Sequence, residues 1–577
     1  MMPFEALRMR KAASSWTATL TVPSGKVASN LTNYPLYIDL DDMPSQFWAN
    51  TNKGKDLRAS VSGTQIPVDV VWCSTAEGKG AAFVKVPTLF AASATAITLY
   101  GNGTDDRAAD ASAYGRNAVW SDYESVFLFG ITAGDDRTGK TQASIVGDPD
   151  LFEKIETSTS DVDSHQGVCW DGTHYYTADT NAIYKWNSSW ALVASNTNPI
   201  GSAGISGSPA INHCGDLDVY NGLLYVPMEC WPASGGLYNG HIGVFRASDL
   251  SFVQSFDIHA QAHESASIAY CPVDGLLYVC DFDANTDKLW KYNPSTGAYV
   301  GQLTMDHTIS QPQGLTWWQD YFWISQDAND ETIRVSYAGV TTVGNLPGGS
   351  GGIGFGQGVG DNYEGIGHRD DALLQLFDPS AGSVQRVEAW RPYRLGKSAQ
   401  GGFNITSAGG TIETGSRSSY QTYTMAVTLN IGAKAQNRCA LSYVNSAALA
   451  SANTRQVIAY RNSTTTLAIW DVNNSWLECS PALNPAIGTN YRVHAVYQGT
   501  TARRIYVDGT QRNSQSGITA VPSTLNKLLI GGEDADYAEL WQGQLGFAYL
   551  RPSVLSADWI AGEHSNLNAP SSFYSIA

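Results

Sequence analysis

The chain has 577 residues, of which 43% are hydrophobic and only 15% charged, with a formal net charge of −18. That length exceeds one hydrophobic core, so about two to four domains are expected. The acidity disfavours a phosphate backbone, hence nucleic acid, as partner.

No run of about 18 apolar residues occurs, so no transmembrane helix and no membrane insertion are expected. Glycine (56), tyrosine (29) and tryptophan (17) are abundant, and Thr, Val, Tyr and Ser alternate in short runs, an all-β composition. The eight cysteines lack zinc-type CxxC spacing and read mainly as buried thiols, although Cys271/Cys280 and Cys439/Cys479 are spaced to face each other across strands.

The first segment, MMPFEALRMRKAASSW, is partly basic and has no apolar core of about 7–15 residues, so it does not read as a secretory signal. Residues 1–15 form an arm that is either a docking peptide for a larger assembly or a frayed terminus. Residues 16–113 follow with WTATLTVPSGKVASNLTNYPLYIDL, then GKDLRAS, then a strand ending in LYGNGT. This pattern resembles a small β-sandwich module of a family of unknown function, found on secreted surface proteins and on phage structural proteins. The resemblance implies a sandwich and no catalytic residues.

Between about His165 and Trp390 a pattern recurs five times, with copies about 50 residues apart. The copies begin HQGVCWDG at His165, HCGDLDVYNG at His213, HESASIAYCPVDG at His263, QPQGLTWWQD at Gln311 and YEGIGHRDD at Tyr363. In each, a short apolar strand leads into a turn, a second strand rich in Tyr, Leu and Trp, and a third that alternates. Asn-Gly and Asp-Gly turns between alternating runs mark hairpins. Four strands per unit at this period indicate a β-propeller of five blades over 149–390, with LFEKIETST (151–159) completing the last blade. A β-solenoid or a pair of sandwiches is the competing architecture.

The segment YGRNAVWSDYESVFLF (114–129), the turn DDRTGK (135–140), and later YTMAVTLNIG, YRVHAVYQG, RRIYVDG and SADWIAGEHSN resemble a concanavalin-like, laminin-G-like jelly-roll sandwich. The resemblance implies one domain split between 114–148 and 391–577, with the propeller inserted in a loop. A closed ring with adjacent ends tolerates such insertion. Val126–Phe129 is then expected to pair inside the 400–577 sandwich. The expected fold class is all-β: N-terminal β-sandwich, five-bladed propeller and C-terminal concanavalin/laminin-G-like sandwich.

Residues at the start of the inner strands converge on a propeller's channel. Here they are His165, Gln166, His213, Asp216, His263, Glu264, Gln311, Gln313, Glu364 and His368. Hydrogen bonding between blades is the leading use of these groups; as the alternative, His213, Asp216, His263 and Glu264 are the candidate ligands of a channel cation. Five-bladed propellers also host furanosidase-type glycoside hydrolases, and by that fold-level analogy Asp216, Glu264 and Glu364 are candidate catalytic carboxylates. Trp170, Trp317 and Trp318, with Gln311 and Gln313, are candidate glycan contacts, because an indole face matches the apolar face of a pyranose. Packing between blades is the leading reading for each aromatic, and sugar stacking at the rim is the alternative. DFDANTD (281–287) lacks the Gly and terminal Glu of an EF-hand, and GGSGGIGFGQGVG (348–360) lacks the strand and helix of a nucleotide loop. No GxSxG, HExxH or Walker pattern occurs.

The leading expectation is an exposed bacteriophage virion protein (tail fibre, tail tip or head decoration) that binds other virion proteins and a host-surface polysaccharide or protein. The alternatives are a glycan depolymerase using channel carboxylates and a bacterial cell-surface adhesin. No heptad run specifies an oligomer, and a homo-oligomer stays open.

Overall fold

The computed structural model describes residues 15–577 except 76, 129–135, 141–142, 148–151, 159–161, 163, 206–207, 233–237, 283–285, 320, 327–330, 338–360, 370, 380–384, 393–402, 406–409, 415–417, 435–436, 446–454, 472–474, 518–524 and 533–540. The arm up to residue 14 and the glycine-rich 348–360 therefore lie outside the described residues, as do Asp283–Asn285 of the DFDANTD segment. The chain is all-β and divides into two compact units, residues 1–151 with 393–577, and residues 152–392. Among the described residues no helix is long and apolar enough to cross a membrane.

The first unit contains two sandwiches. WTATLTV (Trp16–Val22) alternates buried and exposed side chains, as a strand with one solvated face must. It pairs with Thr95–Gly101 on one side and with the C-terminal Ser575–Ile576 on the other. The opposing sheet is Leu31–Asp39, Lys79–Leu89 and Val68–Ser74. One hydrophobic core runs from this module into the second sandwich: Phe83 and Trp120 sit 5.6 and 5.8 Å from Phe547. Asn566 locks the join, accepting from Tyr37 N (2.8 Å) and donating to Tyr37 O (3.0 Å).

The second sandwich has two seven-stranded sheets, and both draw a strand from before residue 151. Ser125–Phe127 pairs with Gly543–Arg551, and Ala143–Gly147 pairs with Gly410–Thr414. The intervening turn is held by Asp136, whose Oδ1 accepts from Val126 N and Thr138 N, while Gly139 takes φ +70°. The RRIYVDG hairpin turns through Asp508 and Gly509, both left-handed, the type I′ geometry that matches strand twist. Helix Ala557–Asn568 is capped by Ser556 and buries Trp559, Ile560, Glu563 and Leu567. Glu563 is buried with its own cations: it accepts from Arg492 Nε and His494 Nε2 at 2.9 Å each, and from Tyr549 OH at 2.9 Å.

The second unit is the propeller. Its first blade is Gly167–Trp170, Tyr175–Asp179, Ala182–Trp186 and Leu192–Asn196. In the second blade His213–Cys214 and Asp218–Tyr220 both pair with Leu223–Glu229, followed by His241–Arg246 and Phe252–Asp257. The third is Ser265–Cys271, Leu276–Asp281, Thr286–Tyr292 and Tyr299–Ile309; the fourth shows Pro312–Trp318, Tyr321–Gln326 and Glu331–Ser336 among the described residues. The fifth is Asp361–Arg369, Ala372–Pro379 and Arg386–Pro392, with Phe152–Thr157 as its outermost strand. The inner strands neighbour one another in a ring, the first lying beside the fifth. Asn221 and Gly222 are both left-handed, so the second blade's first hairpin turns as its Asn-Gly pair demands.

All eight cysteines are free thiols. The register sets Cys271 opposite Leu276 and Cys280 opposite Ser267, which removes that pair as a cross-strand disulfide.

Candidate functional site

The propeller's axis is closed by its own backbone. A Cβ on Gly365 would lie 2.3 Å from Gly167 Cα, and one on Gly314 would lie 2.3 Å from Ile366 N, so both positions must be glycine for the inner strands to meet. Asp216 fills the remaining space. Fully buried, its Oδ1 accepts from Val168 N (3.2 Å) and Leu217 N (2.8 Å), and its Oδ2 accepts from Leu315 N (2.9 Å). One carboxylate thus ties blades one, two and four. Burial pushes its pKa up, opposed by these three backbone donors. Asp218 repeats the device between blades two and three: Oδ2 accepts from Tyr270 N at 2.7 Å, and burial, against the Tyr270 and Val219 N–H groups, raises its carboxyl to about 7.

A cavity of about 380 Å³ opens on this ring, within the size range of small-ligand sites. Gln166 and Thr180 come from the first blade, and Asn212, His213, Glu229 and Trp231 from the second. Glu264, Ala266 and Phe282 come from the third, and Gln313 from the fourth. Trp231 is 50% exposed, more than any other tryptophan, tyrosine or phenylalanine of the propeller among the described residues. Its backbone is clamped by Asn212, which accepts from Trp231 N (2.7 Å) and donates to Trp231 O (2.8 Å). The His213 ring lies 5.6 Å from the indole. Beneath it, His213 Nδ1 is 3.4 Å from Glu229 Oε1, and Glu229 Oε2 is buried without a hydrogen-bond partner. Burial raises the Glu229 carboxyl, and His213 pulls the other way.

The residues expected from the sequence divide sharply. His213, Glu264, Gln166 and Gln313 meet in the cavity. Asp216 does not line it, because its lone pairs are committed to backbone N–H groups. Glu364 is buried and does not line it either, and its carbonyl accepts from Ser325 Oγ. The trio Asp216, Glu264 and Glu364 is therefore not gathered around this cavity. His263 is exposed outside it, and Gln311 sits at a left-handed position before the inner strand, also outside. Among the described residues no group of three or more His, Cys, Asp or Glu is arranged to hold a metal ion. His165 instead faces Asp378 of the fifth blade (3.1 Å), and His368 meets Thr316 of the fourth (2.7 Å), so these histidines bond across blades.

The aromatics of QPQGLTWWQD are core. Trp317 is 6% exposed and packs against Phe322 (4.7 Å) between blades three and four. Trp318 is 3% exposed and lies against Trp323 (5.8 Å). Trp170 is half-buried against Tyr175 (4.3 Å). None lines the cavity.

Glu229 and Trp231 were not singled out as site residues in the sequence, since they close the apolar run LLYVPMECW. The repeat did carry a signal. The second strand of each blade carries an acid or amide at or next to its end: Asp179, Glu229, Asp281, Gln326 and Asp378. Of these five, Glu229 is the one that lines the cavity.

Residues 404–561 match the model of the concanavalin A-like lectin/glucanases superfamily. No curated protein matches the chain. Among solved structures, the chain is similar to Myxococcus xanthus glutaminyl cyclase (12% identity over 43% of this chain and 97% of that one, TM-score 0.31). It is also similar to the Ruminococcus gnavus IT-sialidase CBM40 bound to α2,3-sialyllactose (11%, 26% and 84%, TM-score 0.23). A third is domain 4 of AbnA, a GH43 extracellular arabinanase from Geobacillus stearothermophilus, in complex with arabinotriose (10%, 33% and 84%, TM-score 0.25). Likenesses this low assign no function. The C-terminal sandwich is a concanavalin A-like domain by its sequence match.

Proposed function

We propose that this protein is a glycan-binding component of an exposed surface, with the virion exterior of a bacteriophage as its setting and the propeller mouth as its binding site. One observation carries the site: an indole held half-exposed by the Asn212 clamp, over a cavity lined by amides, an imidazole and carboxylates. A flat ring against the apolar face of a sugar, with convergent polar groups for its hydroxyls, is the chemistry of carbohydrate recognition. The setting rests on the N-terminal module's resemblance to those of phage structural and surface proteins, and the concanavalin A-like match accords with a lectin-like role. A glycan array probed with the full chain and with Trp231→Ala tests the site: binding by the wild type and its loss in the variant are expected, and equal binding overturns the assignment. Mass spectrometry of purified virions tests the setting; recovery only from bacterial envelopes favours an adhesin.

The depolymerase reading keeps one specific support. Glu229 and Glu264 line one cavity, the pair of carboxyl groups that glycoside hydrolysis employs. Release of reducing ends from host polysaccharide by the wild type, but not by Glu264→Gln, is the result that establishes it.

A further inference from the structure

We propose that the propeller-mouth cavity selects glycans bearing a free, protonated amine, such as de-N-acetylated amino sugars, over neutral and acidic ones. This rests on the reading of the cavity as a glycan site and adds the class of sugar it takes.

The charges that line the cavity are of one sign. Glu229 and Glu264 contribute carboxylates, and no lysine or arginine lines it among the described residues. Two carboxylates buried for structure use both of their oxygens: Glu563 has Arg492 and His494 on Oε1 and Tyr549 on Oε2, and Asp216 accepts from backbone N–H groups on each oxygen. Glu229, equally buried, has the His213 imidazole near Oε1 and the Ser265 backbone N–H beside its carboxylate, with no lysine or arginine beside it among the described residues, and its Oε2 has no hydrogen-bond partner. A buried acceptor without a donor costs free energy that a ligand can recover. An ammonium supplies three N–H donors and no acceptor. Trp231 and Phe282 add aromatic faces, which attract cations through the ring quadrupole. A uronic or sialic carboxylate would face the two glutamates, and like charges in a recessed site repel. The net charge of −18 adds a long-range field of the same preference.

The test is titration calorimetry of the full chain with three soluble probes at equal ionic strength: a glucosamine tetrasaccharide, its fully N-acetylated counterpart, and an oligogalacturonate. Measurements are made at a pH where the sugar amine is protonated. The glucosamine tetrasaccharide is expected to bind about tenfold or more tightly than the acetylated form, with no binding of the uronate. Glu229→Gln and Glu264→Gln each narrow that preference while retaining the acetylated sugar; Trp231→Ala weakens every sugar. Each substitution leaves the net charge of the chain nearly unchanged, so amine binding that survives all three comes from the acidic surface at large and overturns the proposal. Equal binding of neutral and amino sugars, sensitive to Trp231→Ala, overturns the amine preference and leaves the glycan site standing. Binding of none of the three overturns both. Melting curves of the variants identify any that fail to fold; the exposed Trp231 and the separate Glu264 position keep the test available if Glu229→Gln does.

Discussion

The sandwich helix and the propeller axis bury carboxylates in opposite ways. In the concanavalin A-like sandwich, Glu563 is surrounded by Arg492, His494 and Tyr549. Burial alone would raise its pKa, but Arg492 and His494 overcome that and hold it at about 2. In the propeller, Asp216 and Asp218 have no cation; backbone N–H groups from neighbouring blades do the holding, and burial wins. The difference follows from architecture. In the sandwich, one strand (Asn490–Gln498) presents Arg492 and His494 to the helix that carries Glu563, so a guanidinium reaches its partner. A five-bladed ring brings backbones together at its axis, where only glycine fits, and a short carboxylate is the side chain that bridges several strands at once. Glu229 belongs to neither class, since it is buried with an oxygen left over at the edge of a cavity.

The largest expected effect is on the axis. Asp216→Ala leaves three buried N–H groups without an acceptor, at about 1–3 kcal/mol each. A loss on the order of 5 kcal/mol in the propeller's stability is expected by denaturant titration. A loss under about 1 kcal/mol would show that the tie is not structural. Next, Arg492→Met strands Glu563 in the sandwich core and is expected to cost about 3–5 kcal/mol, with Glu563→Gln in the same background recovering much of it.

The pH dependence sharpens the contrast because the signs differ. Glu563 has its folded pKa depressed from 4.5 to about 2, so its contribution is complete above about 4.5 and is lost as pH falls toward 2. Asp218 has its folded pKa raised from 3.8 to about 7, so folding binds a proton more tightly and stability falls as pH rises from about 4 to 7. Hydrogen exchange read separately in the two units is expected to show these opposite slopes, and Asp218→Asn to flatten the propeller's. Slopes of the same sign would contradict the contrast. The smallest effect is at the rim: Asn212→Ala frees the Trp231 backbone and is expected to weaken glycan binding about three- to tenfold with little change in melting, since it removes only preorganisation.

The fold class was legible because its signals are local. Asn221-Gly222 and Asp508-Gly509 announce hairpins that the left-handed φ values show, and WTATLTV alternates as its burial does. The closed axis was not legible. Polar residues at inner-strand starts suggested a channel, but Gly314 and Gly365 pull the strands so close that Asp216 becomes a tie rather than a ligand. Trp317 and Trp318 show the complementary difficulty: the same residue type serves blade packing and sugar stacking, and burial places both in the packing that the sequence also allowed. Trp231 was one blade aromatic among several in the sequence, and the Asn212 clamp on its backbone, 19 positions away, is anticipated by no spacing rule.

Hydrogen–deuterium exchange of the full chain, with and without the glycan that binds best on the array, asks which unit holds the ligand. The expected result is protection in peptides covering 212–213, 229–232 and 264–266, with exchange over 404–561 unchanged. Protection confined to 404–561, with the propeller peptides unaffected, would contradict the assignment of the binding site to the propeller mouth.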